Sequence, residues 1–382
     1  MTSIYLDNLA TTPPAPEVLD AMRPWLEQHY GNPASSTHEF GWTAAKAVEV
    51  ARDEVANLIG ARASPEVVFT SGATESNNTI IKGIAEAHAP APVHVVATAI
   101  EHASVLAPSE VIARRGAAVT LVDPGGDGVV DVGAVVGALG PATRLVSVMF
   151  ANNEVGTIQP ISEIAEAVHE HGILLHVDAA QAVGKTEVDV VGFGIDVMSI
   201  SAHKLYGPKG VGAMYIRGDA LPQGLPPLLH GGGQEIGRRA GTPPVAQIVG
   251  FGAAAALARA HWRENATRVG SLTSHLWNHL RAELSGVQLN GSLEDRLPGC
   301  LNISVAGVDA DALIAATPGL ALSTGSACSS RRGGSHVLRA MGLSRAREQS
   351  AIRVGIGRYN TPAEVMIAGT MLVDAVRRIR AS

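Results

Sequence analysis

Cysteine is nearly absent: the 382-residue chain has two, Cys300 and Cys328. Two thiols cannot build a disulfide framework, and neither belongs to a Cys-x-x-Cys pair of the kind that holds zinc, so each is read singly. Long apolar runs are missing too. The longest, Ile248 to Ala258, is stopped by Arg259 and is too short to span a bilayer. The opening residues, Met1-Thr-Ser-Ile-Tyr-Leu-Asp7, lack the charged and then apolar stretches of a secretory leader. No membrane partner is expected, and the cytoplasm is the expected compartment. A strong charge of one sign is also lacking: the net charge is −6, which marks no nucleic-acid surface, so no direct nucleic-acid binding is expected. His169, His171 and His176 straddle a helix end and the next strand without a recognised ligand spacing, so no metal site is expected. There is no internal repeat and no low-complexity segment.

What is present is a glycine-rich chain with 46% hydrophobic residues, the profile of an α/β enzyme, and a length that suits two domains. Short β-rich runs at 66–70, 93–98, 118–122, 144–149, 173–177, 195–200 and 211–216 alternate with helical stretches. Seven strands with mostly helical crossovers predict a largely parallel sheet covered on both faces. In the helix expected over 161–171, Ile161, Ile164 and Val168 share one stripe and Gly172 follows as a stop. A smaller α/β unit follows the helical segment at 244–284. It has strands at 300–305, 320–323 and 351–355, helices near 309–317 and 335–341, and a last helix after Pro362. The expected division is a large domain over 15–260 and a small domain made of 1–14 and 261–382. The Gly/Pro clusters at 221–233 and 325–334 read as loops.

In such a sheet, functional groups collect where strands end. The run Ile195 to Lys204 is an apolar strand that stops at a lysine. Desolvation there makes a neutral amine available for a Schiff base, chemistry that implies pyridoxal phosphate; a lysine turned into water is the alternative. Strand 66–70 leads into Ser71-Gly-Ala-Thr-Glu-Ser-Asn-Asn78, whose small residues let backbone N–H groups converge on a phosphate, against an ordinary helix cap by Ser71 or Thr74. A nucleotide P-loop is a poor match, because Ala179-Ala-Gln-Ala-Val-Gly-Lys-Thr186 lacks its glycines. Asp178 ends strand 173–177, where a carboxylate either pairs with a pyridine nitrogen or caps a helix, and Gln181 lies one turn on. His102 follows strand 93–98 and offers a flat imidazole, although a lone histidine also fills loops. Arg353 sits inside an apolar strand and needs a partner, either a substrate carboxylate or an internal ion pair. Cys328, in a small-residue loop followed by Arg331 and Arg332, has surroundings that favour a thiolate, whereas Cys300 opens an apolar strand and reads as a buried filler.

Together these residues resemble the cysteine desulfurases of the class V aminotransferase group, the type that serves iron–sulfur and nitrogenase maturation. The likeness runs over essentially the whole chain. It includes Tyr5-Leu-Asp-Asn-Leu-Ala-Thr-Thr-Pro13, Gly31-Asn-Pro-Ala-Ser35, Phe69-Thr-Ser-Gly-Ala-Thr-Glu-Ser76, Ala151-Asn-Asn-Glu-Val-Gly156, His176-Val-Asp-Ala-Ala-Gln181, Ser201-Ala-His-Lys204, Arg239-Ala-Gly-Thr242 and Gly325-Ser-Ala-Cys328. The resemblance implies the type I pyridoxal-phosphate fold and a homodimer with active sites at the subunit interface. It implies that Lys204 carries the cofactor, Asp178 meets its ring nitrogen, Gln181 meets its phenolic oxygen and His102 stacks on its ring. Ala73, Thr74, Ser201 and His203 hold the phosphate, with Thr242 reaching it from the partner subunit. Asn32, Asn153 and Arg353 hold the substrate carboxylate, and Cys328 carries sulfur as a persulfide. Two departures stand out. The usual Ser-Gly-His-Lys reads Ser-Ala-His-Lys, and the acidic, leucine- and proline-containing stretch after the cysteine is replaced by Ser329-Ser-Arg-Arg-Gly-Gly-Ser-His336, one residue shorter.

The activity implied is conversion of L-cysteine to L-alanine with sulfur passed from Cys328 to an acceptor protein. Lys204 moves the α-proton and His102 assists at the thiol. The rivals on the same fold are a selenocysteine lyase, a C–S β-lyase and an aminotransferase; a silent sulfur-transfer scaffold is the rival from another class. The destination of the sulfur, whether iron–sulfur clusters, thiolated tRNA or DNA phosphorothioation, is not written in these motifs.

Overall fold

The computed structural model describes residues 3–218, 220–221, 224–325 and 334–381. The strands in chain order are β1 (Ile4–Tyr5), β2 (Val67–Thr70), β3 (His94–Thr98), β4 (Ala118–Val122), β5 (Thr143–Met149), β6 (Leu174–Asp178), β7 (Val197–Ser201), β8 (Gly212–Ile216), β9 (Val287–Leu289), β10 (Cys300–Val305), β11 (Leu320–Ala321) and β12 (Ala351–Gly355). Seven of them form one sheet in the order β2-β8-β7-β6-β5-β3-β4. The five from β7 to β4 run parallel, while β8 is antiparallel to both β7 and β2. The reversed strand follows from its connection. Between Ser201 and Gly212 the chain has a short 3-10 turn and no crossover helix, and so few residues return a strand only antiparallel.

Side chains alternate across the sheet with the strand period of two. In β3, Val95 and Ala97 join the layer made with Ile80, Ile81 and Ile84, while Val96 joins the opposite layer with Val55, Ile59 and Phe251. The helix Ala73–Ala87 starts directly from β2, and its Ile80, Ile81 and Ile84 are fully buried. At its start Gly72 has φ 150°. A Cβ on Gly212 of the neighbouring β8 would lie 2.6 Å from the Gly72 Cα, so the strand and the helix start approach at a distance only glycine permits. No side chain caps this helix; Gly72 is the N-cap, which corrects the alternative of a cap by Ser71 or Thr74.

The smaller sheet has the order β12-β10-β9, all antiparallel, and β1 pairs with β11 beside it. A 39-residue helix, Val245–Glu283, about 58 Å long at 1.5 Å per residue, joins the two regions. Its first half places Ile248, Phe251, Ala255 and Ala258 in the core under the large sheet. Its second half places Val269, Leu272, Leu276 and Leu280 in a separate core with β10, β12 and the helix Pro362–Ala381. The N-terminal segment is divided the same way, with Ile4 and Leu6 in the second core and Ala15 and Val18 in the first.

Candidate active site

β3, β5, β6 and β7 deliver their C-terminal ends to one edge of the large sheet, and the start of the helix Ala73–Ala87 opens onto the same edge. A cavity of about 240 Å³ lies there. Ala73, Thr74, His102, Asn153, Asp178, Gln181, Ser201, His203, Lys204 and Arg353 all line it, so ten residues singled out in the sequence come from six separate segments to one place. Asn32 and Thr242 do not. Both are exposed and away from this cavity, with Asn32 Oδ1 accepting from the Ala34 N–H at 2.9 Å. Cys328, Arg331 and Arg332 lie outside the described residues. At the C-terminal flank of that segment, Ser335 Oγ donates to the buried Glu154 Oε2 at 2.5 Å.

Lys204 ends the 3-10 turn that follows β7. Its Nζ donates to the Leu9 carbonyl at 2.5 Å. The segment from Asp7 to Ala15 is threaded across this turn: Thr12 Oγ1 donates to the His203 carbonyl at 2.9 Å, Tyr206 N–H donates to Thr12 Oγ1 at 3.0 Å, and Ala15 N–H donates to the Tyr206 carbonyl at 2.9 Å. Tyr206 has φ 66°, costly for a side chain of its size, and these bonds with the Arg358 N–H donated to its hydroxyl hold it. The lysine is thus fixed from two sides.

Asp178 is buried and accepts from Ala180 N–H at 3.0 Å and Asn77 Nδ2 at 2.7 Å. It therefore caps a turn, not a helix, and no lysine or arginine forms a salt bridge with it among the described residues. Gln181 Nε2 donates to the Leu9 carbonyl at 2.9 Å, and Gln181 Oε1 accepts from Lys185 Nζ at 3.0 Å. His102 caps the helix Ala103–Arg114: its Nδ1 accepts the Ser104 N–H at 3.1 Å. That bond needs a lone pair on Nδ1, so the ring proton sits on Nε2. Burial pushes His102 below its ordinary pKa and outweighs the opposing pull of Asp178. His203 is driven down to about 4 by burial and by Lys204, so both rings are neutral at pH 7. Glu101, fully buried, is raised to about 8 by burial despite the Thr98 and Met149 donors on its Oε1, and Asp178 adds to the rise. At about 8, Glu101 is neutral at pH 7.

Arg353 reaches the cavity from β12 and is 1% exposed. Its Nη1 donates to the Asn153 carbonyl at 2.7 Å and its Nη2 pairs with Asp7 Oδ1 at 2.9 Å, while Nε is buried with no partner among the described residues. The internal ion pair weighed in the sequence is present, and the guanidinium still faces the cavity. At the phosphate end, the Ala73 N–H donates to Ser201 Oγ at 3.1 Å. Burial pushes Glu75 up, but hydrogen bonds from Arg239 and Ser71 prevail and hold it below the carboxylate range; the Arg239 pair at 2.9 Å ties the loop of Thr242 to the helix start.

Sequence reasoning missed Asn77, Leu9, Asp7 and Lys185. Asn77 stood inside the Ser71–Asn78 run and Asp7 inside the Tyr5–Pro13 run, so the signal was present without a role. Lys185 stood in the segment weighed as a P-loop; that segment is the turn that carries Gln181. The three histidines considered for metal have other partners: His169 Nε2 faces Asp196 at 2.9 Å, His171 Nδ1 faces the Ala167 carbonyl, and His176 lies between Ser147 and Ser199. Cys300 is fully buried, and burial pushes its thiol up.

Residues 4–367 match the family model of the class-V aminotransferases, and the chain belongs to that family. A mitosomal cysteine desulfurase of Trachipleistophora hominis is 46% identical over 99% of this chain and 87% of its own length. Among solved structures, a NifS-like protein aligns with TM-score 0.92 at 36% identity over 99% of this chain and 100% of its own. SspA in complex with cysteine aligns with TM-score 0.84 at 37% identity over 94% of this chain and 100% of its own. Within the family, the chain stands with the cysteine desulfurases, which are pyridoxal-phosphate-dependent enzymes.

Proposed function

We infer that this chain is a cysteine desulfurase that takes sulfur from L-cysteine, leaves L-alanine, and carries the sulfur on Cys328 as a persulfide. One observation carries the reading: an amine on Lys204, a buried carboxylate on Asp178 and a guanidinium on Arg353 line a single cavity. The cavity fits a phosphorylated pyridine. Asp178 is a buried anion without a salt-bridged cation, the environment a protonated ring nitrogen fills. The N–H of Thr74 at the helix start, with the hydroxyl of Ser201 that Ala73 N–H orients and the ring of His203, offers donors to a phosphate. Bound there, pyridoxal phosphate supplies the electron sink that makes the α-proton of cysteine removable.

The chain's own groups do the rest. Lys204 holds the cofactor and moves the α-proton at Nζ, guided by the Leu9 carbonyl. Asn153 and Arg353 take the substrate carboxylate, with Asp7 orienting the arginine. His102 lies against the ring and, with its proton on Nε2, donates toward the substrate sulfur. Gln181 donates to the phenolic oxygen. The Cys328 sulfur bonds to the substrate sulfur while the C–S bond breaks. Cysteine and a protein thiol give alanine and a protein persulfide, so atoms and electrons balance without an added reductant.

Asn32 and Thr242 are exposed and off the cavity of their own chain. Beside the first lie Tyr30, 81% exposed, Phe40 and Trp42, and before the second lies Ile236, 75% exposed. A second copy covering these apolar groups and bringing Thr242 to its neighbour's phosphate is the homodimer we propose; sedimentation of the loaded protein checks it. We propose the division into 15–260 and 1–14 with 261–382 on the two cores that sit on the halves of the long helix, with Leu9, Leu297, Cys300, Val337 and Leu338 of the smaller unit packed into the first core. The proposed compartment is the cytoplasm, with an organelle as the competing outcome given the mitosomal relative; cell fractionation decides. No helix of the described residues is long and apolar enough to cross a membrane. The sulfur acceptor is a protein, to be found by trapping it on persulfidated enzyme.

The experiment is Cys328→Ser. It retains cofactor and the spectral response to L-cysteine but releases no alanine and shows no sulfur adduct by mass spectrometry, whereas Cys300→Ser keeps both products. A sulfur adduct on Cys300, or full desulfuration by Cys328→Ser, overturns the reading.

A further inference from the structure

Gln181 and Lys185 are brought together by a tight reversal after β6. Val183 N–H donates to the Ala179 carbonyl at 3.1 Å, Lys185 N–H donates to the Ala182 carbonyl at 2.9 Å, and Gly184 takes φ 77° between them. The lysine side chain folds back, and among the described residues its one hydrogen bond is to Gln181 Oε1 at 3.0 Å. Lys204, Cys300 and Arg353 face it, with His203 also in range. None of these is a carboxylate. A half-buried amine with no carboxylate beside it is costly, and it needs a reason to be there.

A glutamine amide has two faces of nearly equal shape, and only its partners decide which is oxygen. Protonated lysine only donates, and burial with the nearby Lys204 lowers Lys185 to about 7, so below that pH Lys185 fixes the oxygen on its own side. The Leu9 carbonyl only accepts, so it fixes the nitrogen on the other. Nε2 then has a second hydrogen that no other hydrogen bond of the described residues uses, and Gln181 lines the cavity. We propose that Lys185 is a positioning residue that locks the Gln181 amide so that it presents an N–H, and never a carbonyl, to the phenolic oxygen of the cofactor. The proposal rests on the reading of the cavity as a pyridoxal-phosphate site.

A purely structural role is the competing account, because the lysine stem also lines an interdomain cavity with Leu205, Tyr206, Val269 and Leu297. Methionine fills that space equally well and donates nothing. The test is the pH titration of the visible absorbance of the loaded enzyme. A donor on an ionised oxygen lowers its basicity, so freeing the amide in Lys185→Met moves the midpoint up by about one pH unit. Gln181→Ala moves it by a similar amount, and the double variant moves it no further, since the lysine acts through the glutamine. Additive shifts overturn the proposal, because the lysine then acts by its own charge. An unchanged midpoint in Lys185→Met beside a shifted one in Gln181→Ala overturns it and leaves the cofactor site standing. An unchanged midpoint in Gln181→Ala removes the glutamine contact and the proposal with it. If Lys185→Met does not fold, Lys185→Gln replaces it: its amide turns either face to Gln181, the same upward shift is expected, and none refutes the lock.

Discussion

Replacing His176 by glutamine removes a proton site from the middle of the large sheet. His176 has no exposed surface; its Nδ1 meets Ser147 Oγ at 2.8 Å and its Nε2 meets Ser199 Oγ at 3.2 Å. Burial lowers its pKa from 6.5 to about 4, against the weaker opposing effect of Asp178. The folded protein therefore refuses a proton that the unfolded chain binds below 6.5. Stability from this residue is present in full above pH 6.5 and is lost as the pH falls towards 4. At 1.4 kcal/mol per unit the loss is about 2 kcal/mol at pH 5 and about 3 kcal/mol at pH 4. Glutamine keeps groups for both serines and cannot ionise. Urea denaturation of wild type and His176→Gln at pH 7 and pH 5, at one cofactor concentration, isolates the residue, because the other titrating groups are common to both. The wild type should lose about 2 kcal/mol more than the variant over that interval. Equal losses would show that the ring is protonated in the folded state or pays no penalty there, and the reasoning would fail.

Lys204→Ala should abolish turnover and the visible absorbance of the bound cofactor, and a borohydride-reducible bond at another residue would refute the assignment. Arg353→Ala should raise the KM for cysteine strongly while cofactor stays bound; loss of cofactor at unchanged KM would make the Asp7 pair its whole purpose. Asn77→Ala leaves Asp178 short of a donor and should cost about 1–3 kcal/mol with faster loss of cofactor on dialysis, and unchanged stability and retention would contradict that support role.

The ends of β3, β6 and β7 were legible because each is a continuous apolar run that stops at a chemically active residue: His102 just after β3, Asp178 in β6 and Lys204 just after β7. The direction of β8 was not, because the sequence shows a strand at 211–216 but not which neighbours it joins. The segment from Asp7 to Thr12 was recognisable as a motif yet silent about its task. Its contacts are with His203, Lys204 and Arg353, nearly two hundred or more positions away, and pairing at that separation leaves no periodicity to read. Lys185 was hidden for a different reason. A lysine four residues after a glutamine is ordinary in any turn, and only the reversal at Gly184 makes the two meet. Asn32 and Thr242 carried motif signals as clear as the others, yet neither lines the cavity of its own chain.

The helix Val245–Glu283 gives the site a ruler. β7, which leads to Lys204, packs Met198 and Ile200 in the core around one half of this rod, and β12, which carries Arg353, packs Ile352 and Val354 in the core around the other, so the rod braces the two walls that hold amine and guanidinium. An amino acid is then measured by the separation of its amine from its carboxylate as well as recognised by its charge. Softening the rod at an exposed middle position such as Glu264 would blur that measurement without altering any group in the cavity. Discrimination between α- and β-amino acids would suffer first.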